Sequence, residues 1–160
     1  MLGALREGEP PAHATFAIGH LMRAQPAPSV TGGDLGDLLA ALPSTQQYGF
    51  RLHSFASGRC TLHVPHTPAL DRPGGMVAGY VFMAAADVAM WLAIVTKLGL
   101  KGETAVTAEM KTAFLRAGRD EDFRCRATVL KLGKRLIYGV AACLGRRGVL
   151  THHTFTYIRP

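Results

Sequence analysis

The sequence predicts an α+β fold in which an antiparallel sheet wraps around one long, central, apolar helix. Three observations lead there. The run Pro73–Leu98 is apolar almost throughout and holds one carboxylate, Asp87. Stretches before and after it alternate apolar and polar residues, the period of strands with one buried face. Short glycine-bearing segments separate those stretches at hairpin spacing.

The apolar run is long enough to consider as a membrane span, which needs about 20 residues. A single span would leave the amphipathic strands without a core and place Asp87 in lipid. A buried helix gives every strand something to cover, so the sequence favours a soluble domain.

In chain order, residues 1–33 are rich in alanine, proline and glycine with weak periodicity. They are expected to form a flexible N-terminal arm, with residues 34–160 as the folded domain. Asp34 to Leu42 reads as a short helix: Asp34 is the expected N-cap, Leu35, Leu38, Leu39 and Leu42 form the stripe, and Pro43 stops it. Tyr48 to Phe55 alternates with Tyr48, Phe50 and Leu52 on one side. Gly58 to Pro65 alternates with Cys60, Leu62 and Val64 inward, after a turn at Ala56–Gly58. A loop from His66 to Arg72 leads into the long helix. Thr104 to Leu115 then reads as a strand with Val106, Ala108, Met110 and Thr112 on one face. Strands over Phe123–Leu132, Leu136–Leu144 and Val149–Ile158 follow, joined by turns at Gly133-Lys134 and Gly145–Gly148.

The chain has 160 residues and a formal charge of +7, a balance that favours anionic partners. There is no lysine/arginine block or basic stripe interleaved with aromatics, so a phosphate-bearing small molecule is expected rather than nucleic acid. Arg6, Glu7 and Glu9 interrupt any apolar leader, and the N-terminus does not read as a signal peptide. Cys60, Cys125 and Cys143 are widely spaced and sit in apolar or alternating stretches. They read as buried reduced thiols, and a cytoplasmic location is expected. No metal spacing, nucleophile elbow, P-loop or dinucleotide fingerprint occurs, and no cofactor is expected. His152 and His153 are adjacent in a strand and must point to opposite faces.

Four segments carry a resemblance to a known family: Ala78–Asp87 (AGYVFMAAAD), Ala105–Arg116 (AVTAEMKTAFLR), Lys131–Leu136 (KLGKRL) and Thr151–Tyr157 (THHTFTY). Over roughly Leu38 to Pro160 the chain resembles the PaaI-type acyl-CoA thioesterases of the hotdog fold. The family motif is a His-Gly-Gly run followed by an Asp on the helix. Set on Asp87, it places the oxyanion glycine on Gly79, the histidine on Ala78 and the second glycine on Tyr80. The motif histidine is therefore absent, and the Arg72-Pro-Gly-Gly approach resembles a branch of the family that lacks it.

The resemblance implies hydrolysis of an acyl-CoA thioester. Asp87 would act as base or nucleophile, with a backbone N–H of Gly79 in the oxyanion hole. That N–H must be free, so the regular helix is expected to begin at Gly79, with Gly74–Ala78 as a wrapped approach. Thr107 holds the place of a family Ser or Thr facing the acidic residue, often from the partner subunit. Tyr80 and Met83, with Phe82, Met90 and Trp91, are core or acyl-slot candidates. Arg116, Lys131, Lys134 and Arg135 are candidates for the phosphates of coenzyme A. Each residue also has a purely structural reading: a capping or bridging Asp, a close-packing Gly, a strand-forming Thr, a solvated basic face.

The expected partner is acyl-CoA, with no nucleic acid and no membrane, in a homodimer formed by sheet-edge pairing and assembled into a homotetramer. The rival reading is a non-catalytic hotdog protein that binds acyl-CoA as sensor or scaffold. A hydratase on the same fold would need a histidine at the site, and only His63 or His66 could approach.

Overall fold

The computed structural model describes residues 27–159. Its elements are α1 (Gly32–Ala40), α2 (Pro43–Tyr48), β1 (Arg51–Ala56), β2 (Arg59–Val64), β3 (Asp71–Arg72), β4 (Met76–Val77), α3 (Gly79–Leu98), β5 (Val106–Phe114), β6 (Phe123–Leu132), β7 (Leu136–Gly145) and β8 (Gly148–Ile158). The six long strands form one antiparallel sheet in the order β1-β2-β6-β7-β8-β5. It wraps one face around α3, and this is the hotdog architecture.

The helical stretch Gly79–Thr104 is long and apolar enough to cross a membrane. Here it is the core. Val81, Phe82, Met90, Leu92, Ile94 and Val95 are buried against the sheet, and Ala85, Ala86, Ala89 and Ala93 let the strands approach closely. Each large apolar side chain so buried contributes about 2 kcal/mol. The inward positions of β2, β6, β7 and β8 supply the other half: Leu62, Val64, Cys125, Ile137, Phe155 and Tyr157. Cys60, Cys125 and Cys143 are all free and buried.

The helix is not buried all round. Met83, Ala84, Asp87, Val88 and Trp91 are half-buried and recur at helical spacing, with Tyr80 58% exposed at the same stripe. This stripe is the side of α3 that the sheet covers least, touched by β5 and β8 at Asp87.

Three local expectations change. The N-cap of α1 is Thr31, and Asp34 sits at N3, closing a capping box with the Thr31 backbone. Pro43 does not merely stop a helix. It opens α2 at a position where its missing N–H costs nothing, so Tyr48 ends a helix instead of starting a strand. Finally, β5 has a bulge between Thr107 and Glu109. Met110 pairs with Phe155 and Thr112 with His153, both inward, while Thr107 pairs with the inward Tyr157. The extra residue, Ala108, thus brings Thr107 onto the face of Met110, and Val106 is left 54% exposed outside.

Of the expected arm, residues 1–26 lie outside the described residues. Ser29 donates its N–H to Thr96 O at 2.8 Å, and Val30 is buried.

Candidate active site

The approach to α3 is held by backbone geometry. Gly74 (φ 98°) and Gly75 (φ 67°) make the turn between β3 and β4, a conformation that suits residues without a Cβ. Val77 N–H then donates to Gly118 O at 3.0 Å and Ala78 N–H to Leu70 O at 2.9 Å. Ala78 is extended (φ −66°, ψ 141°), and the helix starts at Gly79. Among the described residues no acceptor meets the N–H of Gly79 or Tyr80, while Val81 N–H already bonds Ala78 O. Two free donors at the positive end of a 20-residue helix are suited to a developing oxyanion.

Two turns further along, Asp87 meets the sheet. Its Oδ1 accepts from Thr107 Oγ1 at 2.7 Å and from the Tyr157 hydroxyl at 2.6 Å. The same hydroxyl lies 3.1 Å from the Asp87 carbonyl. No partner meets Oδ2 among the described residues, so the two hydroxyls fix the carboxylate and leave one oxygen for chemistry. Burial, the Asp87 charge and the bond to Asp87 hold the Tyr157 phenol far above its usual range, so it remains a donor. A cavity of about 250 Å³ opens beside these groups, walled by Leu42, Ser44, Val88, Trp91 and Ala105. The Trp91 indole is pinned by a 3.0 Å bond to Glu103 O.

A second cavity, of about 420 Å³, lies at the start of the helix against Gly79, Phe82 and Phe114, with Arg72 and Arg116 at its margin. The Phe114 ring covers Gly79 so closely that an added Cβ would stand 3.1 Å from it.

Asp87 and Thr107 are therefore together, within one chain. Gly79 is not with them: eight residues of helix separate it from Asp87 by about 12 Å. Arg116 belongs to the Gly79 end, where its guanidinium donates to Arg147 O. Lys131, Lys134 and Arg135 are exposed at the β6–β7 turn, at the Asp87 end, because Ile137 pairs with Tyr157. Tyr80 and Met83 lie on the open helix stripe and wall neither cavity. Phe82 and Met90 are core, though Phe82 also reaches the larger cavity. His63 and His66 pair instead with Asp122 (3.4 Å) and Asp71 (3.1 Å), and neither walls the Asp87 cavity.

The residue that sequence reasoning missed is Tyr157. Its signal was available: the alternation of β8 turns it inward, and a buried phenol requires a partner.

The model of the Thioesterase superfamily matches residues 74–141, from the glycine turn through Asp87 and Thr107 into β7. Over those residues the chain is similar to that superfamily. A thioesterase family protein from Silicibacter pomeroyi is 27% identical, with TM-score 0.70 over 78% of this chain and 93% of that one. The E. coli PaaI protein of the phenylacetic acid degradation operon shares the fold at 16% identity (TM-score 0.69, 78% and 89% covered). So does a hypothetical thioesterase protein from Streptococcus pneumoniae, whose structure contains coenzyme A (17%, TM-score 0.64, 69% and 85% covered). No curated protein matches the chain in sequence. The match to the Thioesterase superfamily model and the likeness to the Silicibacter pomeroyi protein support acyl thioester hydrolysis as the general reaction.

Proposed function

We propose that this protein hydrolyses an acyl-CoA thioester to a carboxylate and free coenzyme A. The observation that carries the reading is the Asp87 carboxylate, held at Oδ1 by Thr107 and Tyr157 and open at Oδ2 to a cavity. Oδ2 takes a proton from water as the water attacks the thioester carbonyl; direct attack by the carboxylate uses the same open oxygen. The carbonyl oxygen gains charge and is stabilised by the free N–H of Gly79. Collapse expels the thiolate, which regains the proton.

The distance along the helix supports a site shared between two copies. One carbonyl cannot reach Gly79 and Asp87 of the same chain. β5 is the edge of the sheet, and its outward backbone groups are unpaired among the described residues. An antiparallel β5–β5 pair, with its two-fold near Met110, sets Thr107 of one copy opposite Phe114 of the other. Gly79 of one copy then faces Asp87 of its mate, and the two basic ends meet. The open helix stripe becomes interface. The expected homotetramer, the cytoplasmic location and the origin in a branch without the motif histidine are part of the same reading; the buried Ala78 supports the last of these.

The test is free-thiol release from short, medium, long and aryl acyl-CoAs by the native chain and Asp87→Asn. Turnover abolished by the substitution is expected. Turnover unaffected by it sinks the mechanism, and thermal stabilisation by acyl-CoA without any turnover establishes the non-catalytic rival.

A further inference from the structure

The outer face of the sheet, opposite α3, carries four arginines that hydrolysis does not use. The registers place Arg51 (β1), Arg59 (β2), Arg124 and Arg126 (β6), Lys131 (β6) and Lys111 (β5) on that face, since their neighbours Leu62, Cys125, Ile137 and Phe155 point inward. Glu109 is the one carboxylate among the same outward ladder positions. None of the four arginines has a carboxylate within 4.0 Å or a side-chain hydrogen bond among the described residues; Asp122, at the margin, is taken by His63.

Arg59 and Arg126 are diagonal neighbours on adjacent strands, and Arg124 and Arg126 are two residues apart on one strand. Both separations are about 7 Å. Like charges so placed repel, and among the described residues no ion pair offsets them. Two open hollows of about 460 Å³ flank Arg126, one beside Arg124 and Arg146, the other beside Arg59. On the same face, a row of paired residues crosses three strands: Val106, Ile158 and Leu136, with Tyr138 next on β7. They are 40–56% exposed.

We propose that this face docks on an anionic lipid bilayer, with headgroup phosphates against the arginines and the aliphatic row at the interface. Charge complementarity selects the occupant. A second copy of the same face would set cation against cation. Single-stranded nucleic acid calls for aromatic platforms between the cations, and here Thr61 and Thr128 lie between them. A broad face, cationic at one end and aliphatic at the other, suits a partner surface that offers both anionic headgroups and an apolar interior. Such docking is peripheral, unlike the spanning helix that the sequence argues against.

The experiment is co-sedimentation of the full chain with vesicles of phosphatidylcholine and with vesicles of equimolar phosphatidylcholine and phosphatidylglycerol. Binding to the anionic vesicles alone is expected, lost as salt is raised. Arg59→Gln with Arg126→Gln should weaken it about thirtyfold, with melting temperature and soluble acyl-CoA turnover unchanged. Val106→Ser with Leu136→Ser tests the apolar end and should also weaken it. Equal binding to both vesicles, or binding to anionic vesicles that the arginine variant leaves intact, overturns the proposal. Binding to polyglutamate but not to the anionic vesicles also overturns it, in favour of an acidic protein.

Discussion

The Tyr157 hydroxyl donates to Asp87 Oδ1 at 2.6 Å, joining the last strand of the sheet to the central helix. Thr107 reaches the same oxygen at 2.7 Å from the other side of the β5–β8 pair. Two donors on one oxygen orient the other. Tyr157→Phe removes one donor without changing the ring. Turnover should fall roughly ten- to a hundredfold, the value of a hydrogen bond to a charged group, with fold and acyl-CoA affinity retained. Asp87→Asn should cost about a thousandfold. Steady-state thiol release separates the two: Tyr157→Phe acts on kcat, and equal losses for both variants would contradict a merely positioning role for Tyr157.

Much of this site was legible in the sequence, and the exceptions have physical causes. The free N–H required of Gly79 predicted where α3 begins, and Gly74 and Gly75 did prove to belong to the approach. Alternation predicted six strands because each has one face on the helix. It failed at Ala108, where a bulge adds one residue and reverses the parity of everything before it. No residue type demands a bulge, so strict alternation puts Val106 on the face of Met110, and Thr107's orientation toward Asp87 came from the resemblance alone. The separation of Gly79 from Asp87 follows from helical rise, yet both had been assigned to one site because a sequence does not say which copy supplies which residue.

Alkaline stability follows from the buried groups. Burial pushes the Cys60 thiol from 9.0 up to about 12. Between these values the unfolded chain has released this proton and the native chain has not, so stability falls as pH rises. The contribution is complete below about pH 9 and lost by about pH 12, a total of about 4 kcal/mol. Tyr157, also raised, acts in the same direction above about pH 10. Urea unfolding of the native chain and Cys60→Ala across this window should show a shallower decline in the variant. Parallel declines would mean that Cys60 ionises as freely in the fold as outside it.

Gly139 tests the packing of helix on sheet independently of chemistry. A Cβ there would stand 2.5 Å from Met90 Cε and 2.9 Å from the backbone oxygen of Thr128. Met90 can swing away, but the carbonyl is fixed in the β6–β7 ladder. Gly139→Ala should therefore destabilise by about 1–3 kcal/mol. Turnover per folded molecule should be unchanged, because Gly139 walls neither the Asp87 nor the Gly79 cavity. An unshifted thermal midpoint would show that β7 can move off the helix at little cost.

The composite site makes a prediction that a site within one chain cannot. Asp87→Asn keeps the helix start and loses the carboxylate. Gly79→Val keeps the carboxylate and fills the space under Phe114, where an added Cβ already stands 3.1 Å from the ring. Each variant alone should be inactive. In a mixed dimer, one of the two sites pairs the intact Gly79 of the first variant with the intact Asp87 of the second. Random exchange makes half of the dimers mixed, so an equal mixture, unfolded and refolded together, should recover about a quarter of native activity. If both groups served the same carbonyl within one chain, every site in the mixture would remain broken and nothing would be recovered. Refolding each variant separately before mixing controls for exchange, and activity should then return only at the rate at which the dimers trade subunits.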